Sequence, residues 1–268
     1  MKTTVKKALM HSLILGSVLF SNAKMSAGEL QPLVQVVIDG QTVDVPLRFG
    51  QDGKLNTWSL VGEPLTIGGT DGALINYLTG AADPDPFLGY AIGVTDIGAP
   101  SLFGFVFGTP IVPTSPPGTV TSAFSASLTD GPTAPGVISI TPAAPGVPVD
   151  GDGIPEIHVV TDGFLGGALV NDGADLGPAG AYGAGASVHG PFNEVVAMPG
   201  PGPWTWLQIN VTFTGSGGGD FYGLTGSAVK AEGVPDTAGT LLLAVLGLAG
   251  CALTRRFCFR ADGDVVRR

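Results

Sequence analysis

The chain has 268 residues, a net charge of −10 and two cysteines, Cys251 and Cys258. With both near the C-terminal end, the body has no internal disulfide, no Cys nucleophile and no Cys-ligated zinc. Between Gly28 and Glu232 three bases, Arg48, Lys54 and Lys230, stand against nineteen acids, since Asp236, Asp262 and Asp264 lie beyond; such a surface repels nucleic acid and anionic lipid.

The opening stretch is a secretion signal by pattern. Lys2, Lys6 and Lys7 precede an apolar run from Ala8 to Phe20, which is short for a spanning helix. Ser21 and Ala23 put small residues at −3 and −1, and Ala27 is a second cutting point, so signal peptidase is expected to cut after Ala23 or Ala27. Residues 1–27 are then leader, and the body covers 28–233.

The body reads as all-β. The whole chain's 43 glycines and 22 prolines punctuate apolar runs, and its mean hydropathy is +0.38, which favours short strands joined by turns over disorder. "LVQVVI" and "QTVDVPLRF" flank Asp39-Gly40, a pair that readily takes φ > 0, so a hairpin is expected there. In the second run Val43, Val45, Leu47 and Phe49 alternate with polar residues, and Pro46 marks it as an edge strand. A helix is expected over "DGALINYLTGAA". Phe103, Phe105 and Phe107 share one face of "LFGFVFGTPI"; Val120, Phe124, Ala126 and Leu128 share one face of "TVTSAFSASLT". "VISIT", "EIHVVT" and "DFYGLTGSAVKA" are further strands. In "WTWLQINVTFTG", Leu207, Ile209, Val211 and Phe213 form one face, while Trp204, Trp206, Gln208, Asn210 and Thr212 form the other. "TPIVPTSPPGT" and "TPAAPGVPVDGDGIPE" are expected as loops. Strands of this length and spacing predict a single β-sandwich, jelly-roll-like in its winding.

Candidate sites in the body are few. Asp150, Asp152 and Glu156 in "DGDGIPE" place carboxylates on a Gly-bearing loop, which suits calcium, a hard ion taking about 6–8 oxygens. The stretch resembles fragments of the acidic calcium loops of dockerin-like and thrombospondin-type repeats; the other reading is a polar turn before a strand. His158 and His189 are expected as structural histidines. Ser187 lies two residues from His189 without a G-x-S-x-G elbow, so no nucleophile–base–acid set is visible and a non-catalytic body with no cofactor is expected. Trp204, Trp206 and Tyr222 offer flat faces for a sugar-binding platform, although aromatics on a sheet are more often core or cross-strand pairs. "GSGGGD" lacks the Lys-Ser/Thr of a phosphate loop and reads as a turn.

At the far end Val234-Pro235-Asp236-Thr237 leads into 237–254, eighteen uncharged residues, about 27 Å as a helix, followed at once by Arg255 and Arg256. The arginines hold their side in the cytoplasm and leave the body outside; residues 257–268 form a short cytoplasmic tail. This order of motif, apolar span and basic pair over 234–256 resembles the PEP-CTERM sorting tail of Gram-negative bacteria, in a Val-Pro-Asp form. The resemblance implies an exosortase as processing partner, transient anchoring in the inner membrane with the body in the periplasm, and then a place at the cell surface or in an exopolysaccharide-rich biofilm matrix. A permanent membrane anchor carrying a calcium- or glycan-binding module is the alternative.

Overall fold

The structure, a computed structural model, describes residues 31–69, 72–114, 118–132, 136–143, 154–163, 169–170, 174–198 and 203–232. The leader, Asp150, Asp152, the sorting motif Val234–Thr237, the span 237–254 and the pair Arg255–Arg256 lie outside the described residues. Among the described residues no helix is long and apolar enough to cross a membrane.

Among the described residues seventeen strands follow one another: β1 (Leu33–Ile38), β2 (Gln41–Val43), β3 (Leu47–Asp52), β4 (Leu55–Leu60), β5 (Leu65–Ile67), β6 (Ala73–Asp83), β7 (Phe87–Asp96), β8 (Leu102–Thr114), β9 (Gly118–Thr129), β10 (Val137–Pro142), β11 (His158–Gly163), β12 (Leu169–Val170), β13 (Asp175–Leu176), β14 (Gly180–Gly183), β15 (Ala186–Met198), β16 (Trp204–Thr214) and β17 (Asp220–Glu232). The first sheet has the order β12-β11-β16-β8-β1-β2, with β10, β13 and β14 attached at its margins. The second has the order β15-β9-β17-β7-β6-β4-β3, with β5 on β6. Strand pairs are antiparallel, and the two sheets face each other as a β-sandwich. Strands from both sides of the two Pro-rich stretches interleave in the same sheets.

Period-two burial builds the core. From the first sheet Val36, Ile38, Phe103, Phe105, Phe107, Leu207, Ile209, Val211 and Phe213 point inward, each at most 3% exposed. Trp58, Ile75, Leu78, Leu88, Ile92, Val94, Leu128 and Leu224 answer from the second. Aromatic rings cross the midplane: Phe107 stacks on Tyr90 at 4.8 Å and on Trp58 at 6.0 Å, and Phe213 meets Tyr222 at 5.3 Å. Such pairs add roughly 0.5–1.5 kcal/mol each beyond the area they bury.

Several expectations hold and several are corrected. The hairpin turns at Asp39 (φ 50°) and Gly40 (φ 77°), as the pair's chemistry requires. Its second run does not continue as one strand. β2 ends at Val43 as an edge of the first sheet, and β3 begins at Leu47 as an edge of the second. Pro46 lies in the crossing, where it has no ladder partner to disappoint, and its carbonyl accepts from Val61 N at 2.9 Å. The helix expected over "DGALINYLTGAA" is instead β6. A register shift between Ile75 and Tyr77 turns both Ile75 and Leu78 inward, three residues apart, and so imitates helical spacing. The stretch "TPIVPTSPPGT" is largely strand: Thr109 to Thr114 continue β8, and Gly118 and Thr119 open β9. The prolines fit because the β8–β16 register shifts beside Pro110, and Val112 N reaches across to Pro84 O at 2.8 Å.

Gly80 of β6 pairs with Trp58 of β4, whose indole covers it. A Cβ at Gly80 would lie 2.2 Å from Trp58 Cζ2 and 2.5 Å from Gly89 O, a backbone atom that has nowhere to go. Gly80→Ala is therefore expected to lower the unfolding free energy by about 1–3 kcal/mol through overpacking. A urea midpoint equal to that of the parent chain would contradict this contact.

Candidate functional site

His158 opens β11 at the first sheet, and the antiparallel register on Val211 turns its ring inward. There it meets two side chains of the opposite sheet. Nδ1 is 2.8 Å from Tyr90 Oη on β7, and Nε2 is 2.9 Å from Ser122 Oγ on β9. Ser122 Oγ donates in turn to Ser227 O at 3.3 Å. One proton order satisfies all of these contacts: Tyr90 donates to Nδ1, Nε2–H donates to Ser122, and Ser122 donates to the Ser227 carbonyl. The imidazole is then neutral, in agreement with burial, which pushes its pKa from 6.5 down to about 3. Burial also raises the Tyr90 phenol well above its ordinary value. A serine beside a histidine suggests acyl transfer at first sight. Here, though, His158 is 0% exposed, Ser122 1% and Tyr90 5%, with the Tyr90 and Phe124 rings against the imidazole and Phe107 stacked on Tyr90. The three groups fasten the two sheets together through the core.

A second polar cluster closes one end of the sandwich. Asp96 and Asp220 are cross-strand partners on β7 and β17, both 0% exposed. Asp96 Oδ2 accepts from Ser101 N at 3.1 Å and Gly217 N at 2.8 Å. Asp220 accepts from Gly131 N at 2.7 Å and from the Ser216 hydroxyl. The Tyr222 hydroxyl accepts from Ser216 N at 2.7 Å and donates to Ser139 O at 2.9 Å. The carboxylates thus cap the loops 97–101 and 215–219 with charge-assisted hydrogen bonds. Burial raises the Asp96 pKa against the pull of the Ser101 and Gly217 contacts, and it pushes the Tyr222 phenol up to about 12. "GSGGGD" is the turn expected, with Gly217, Gly218 and Gly219 all at positive φ.

His189 is separate from both clusters. It lies on β15, with Nδ1 2.7 Å from Tyr182 Oη and its ring 4.8 Å from Phe192. Burial lowers its pKa, and the Pro178 carbonyl works against that. Ser187, on the same strand, pairs with Leu128.

The three-residue sugar platform does not assemble. Tyr222 is in the core, and Trp204 is 1% exposed with Lys230 Nζ 4.9 Å above its ring. A register shift between Trp204 and Trp206 turns Trp204 off the face that alternation assigned to it. Trp206 alone stays on the outside of the first sheet, laid over Gly108 and donating to Gln208 Oε1 at 3.3 Å. Of the calcium candidates only Glu156 is described, half-buried just before β11. Among the described residues no three Asp, Glu, His or Cys side chains group where they could hold a metal ion.

What alternation could not show is the outer face of the second sheet. Register puts Thr79, Ala91 and Thr225 side by side, and Ala81, Gly89 and Ser227 in the next row. Ser125 Oγ continues the first row at 3.0 Å from Thr225 Oγ1. Between β9, β15 and β17 lies an open cavity of about 220 Å³, lined among others by Ser125, Asn193, Thr225 and Phe192. The β9–β15 register shifts between His189 and Phe192, beside this cavity.

No protein-family model matches this sequence, and no curated protein matches it. Among solved structures the chain is similar to TmCBM61, a carbohydrate-binding module in complex with beta-1,4-galactotriose. The identity is 10%, over 70% of this chain and 89% of that one, with a TM-score of 0.22. A likeness of that degree transfers neither fold nor ligand.

Proposed function

We propose that this is an exported, exosortase-sorted protein of the cell surface or exopolysaccharide matrix of a Gram-negative bacterium, whose β-sandwich body binds rather than catalyses. The observation that carries the reading is the fit between the terminal signals and the folded body. The first strand begins at Leu33, shortly after the leader's cutting points, and the last ends at Glu232, two residues before Val234. Val234 thus follows the last described strand closely in sequence, and the motif takes no residue from the described core. Enclosure of His158 between the sheets supports a non-catalytic body. The jelly-roll-like winding is supported by β7, β8 and β9 crossing from sheet to sheet in succession, and again by β15, β16 and β17.

Mass spectrometry of the mature protein from its native host tests the sorting. The expected N-terminus is Lys24 or Gly28, and the expected C-terminus falls before Arg255. A C-terminus intact to Arg268 on the mature surface protein would make the tail a permanent anchor and overturn the sorting.

A second reading concerns what the body binds. The central rows of the second sheet's outer face, on β6, β7, β17 and β9, are uncharged and bear hydroxyls, which favours a glycan over an anionic polymer, which the surplus of acids repels.

A further inference from the structure

We propose that the outer face of the second sheet is a saccharide-binding trough, running from Tyr77 on β6 to the cavity beside Asn193 on β15, and that its ligand is an uncharged glycan chain. The inference rests on the glycan reading above and gives it a place and a ligand class.

The floor is the first argument. Its rows consist of Thr79, Ala91, Thr225 and Ser125, then Ala81, Gly89 and Ser227, then Gly93, Gly223 and Ser127. All are small, and none is charged. Sheets that face water ordinarily carry long polar or charged side chains there. Between the Tyr77 ring, which covers Gly93 and Gly223, and the Phe87 ring, which covers Gly89, the row of Thr79, Ala91, Thr225 and Ser125 stays open. Thr79 already donates to Trp58 O at 3.0 Å, and Ser125 and Thr225 hydrogen-bond to each other at 3.0 Å, so the row offers acceptor lone pairs and one remaining hydroxyl proton. That dual capacity matches sugar hydroxyls. It matches neither a phosphate, which needs cationic or amide donors, nor a cation, which needs carboxylates.

The wall is the second. The Tyr77 ring lies flat on the sheet: a Cβ at Gly93 would fall 2.2 Å from its Cε1, and one at Gly223 3.1 Å from its hydroxyl. Yet Tyr77 is 40% exposed. A flat ring resting on glycines with its other face open to solvent offers the apolar surface on which a pyranose packs. The row beyond holds Phe87, folded over Gly89, and Asp83 as the adjoining carboxylate.

The cavity is the third. It holds Asn193 and the hydroxyls of Ser125, Thr225 and Ser227 beside Phe192, a polar set with an apolar side in about 220 Å³. From β6 to β15 the trough crosses β7, β17 and β9, four strand spacings or roughly 19 Å. The Tyr77 ring itself reaches across β7 to Gly223 on β17, so its stacking face adjoins the cavity and a short run of sugar rings can touch both.

The test uses the purified mature chain on an array of neutral oligosaccharides (gluco-, galacto-, manno- and xylo-configured), beside uronic-acid and sulfated ones, followed by calorimetry on the best neutral probe. Binding to a neutral oligosaccharide is expected. Tyr77→Ala and Asn193→Ala should each weaken it at least about tenfold, the loss of one stacked ring or one well-placed polar contact. Thr225→Lys, which fills the exposed floor, should abolish it. Unchanged melting temperatures for the three variants separate lost binding from lost folding; all three positions are exposed. Binding that survives these changes but disappears with Trp206→Ala would overturn the trough and keep the glycan reading, moved to the other sheet. Binding of acidic saccharides alone would overturn the neutral class. An array blank for every sugar would overturn both the trough and the glycan reading.

Discussion

His158→Ala is expected to lower the unfolding free energy by about 3–5 kcal/mol near neutral pH, and to flatten its dependence on pH below that. The loss combines a cavity between the sheets with two hydroxyls, Tyr90 Oη and Ser122 Oγ, left without their imidazole partner; each orphaned group costs roughly 1–3 kcal/mol. The pH effect has a definite sign. In the unfolded chain the imidazole takes up a proton near pH 6.5, whereas in the folded chain burial holds this off until about 3. Between those values the unfolded state binds more protons. Stability is therefore full above 6.5 and is lost as pH falls towards 3, by an amount on the order of 5 kcal/mol in total. His189, whose pKa burial also lowers, acts in the same direction. Asp96, raised by burial, acts in the opposite one: its folded form holds the proton more readily, so acid relieves it. Urea titrations of the parent chain and of His158→Ala between about pH 7.5 and pH 4 isolate the His158 contribution, because His189 and Asp96 are common to both. Parallel curves for the two proteins would show that His158 is not held neutral in the core.

Why this cluster escaped a reading of the sequence is clear from its members. Tyr90 and His158 are 68 residues apart and Ser122 and His158 are 36 apart, on three strands of two sheets. No local pattern announces such a meeting. What alternation does announce is which face of a regular strand is buried, and for Phe103, Phe105, Phe107 and for Leu207 to Phe213 it did so correctly. It failed where a strand bulges. One extra residue after Ile75 made β6 look helical, and the shift before Trp206 put Trp204 on the wrong face. The glycines misled in another way. Many are turn residues, as at Gly40 and Gly217 to Gly219, but Gly80, Gly93 and Gly108 are mid-strand, where Trp58, Tyr77 and Trp206 lie across them. A glycine under a ring and a glycine in a turn are the same letter; only the partner strand tells them apart. The trough on the second sheet stayed hidden for the same reason, since its rows are assembled from strands far apart in the chain.

Phe107→Ala is expected to be the costliest single truncation of the apolar core, at about 3–5 kcal/mol. Phe107 is fully buried at the middle of β8, and its ring is shared: Trp58 lies on one neighbouring strand of the opposite sheet system and Tyr90 on another. Removing it leaves a hole that neither ring can fill, because Trp58 is pinned over Gly80 and Tyr90 is held by His158. Phe49→Ala serves as the contrast. Phe49 is 39% exposed on an edge strand, and its loss should cost less than about 1 kcal/mol. The stack also predicts coupling. Once Phe107 is gone, the Tyr90 ring loses the surface that aims its hydroxyl at Nδ1, so part of what His158 contributes has already been lost. The double variant Phe107→Ala/His158→Ala should then be more stable than the two single losses added together, by roughly 0.5–3 kcal/mol. Strict additivity in urea would mean that the ring stack and the hydrogen-bonded bridge stabilise the sandwich independently. That outcome would contradict the single, continuous fastening between the sheets that Trp58, Phe107, Tyr90, His158 and Ser122 form.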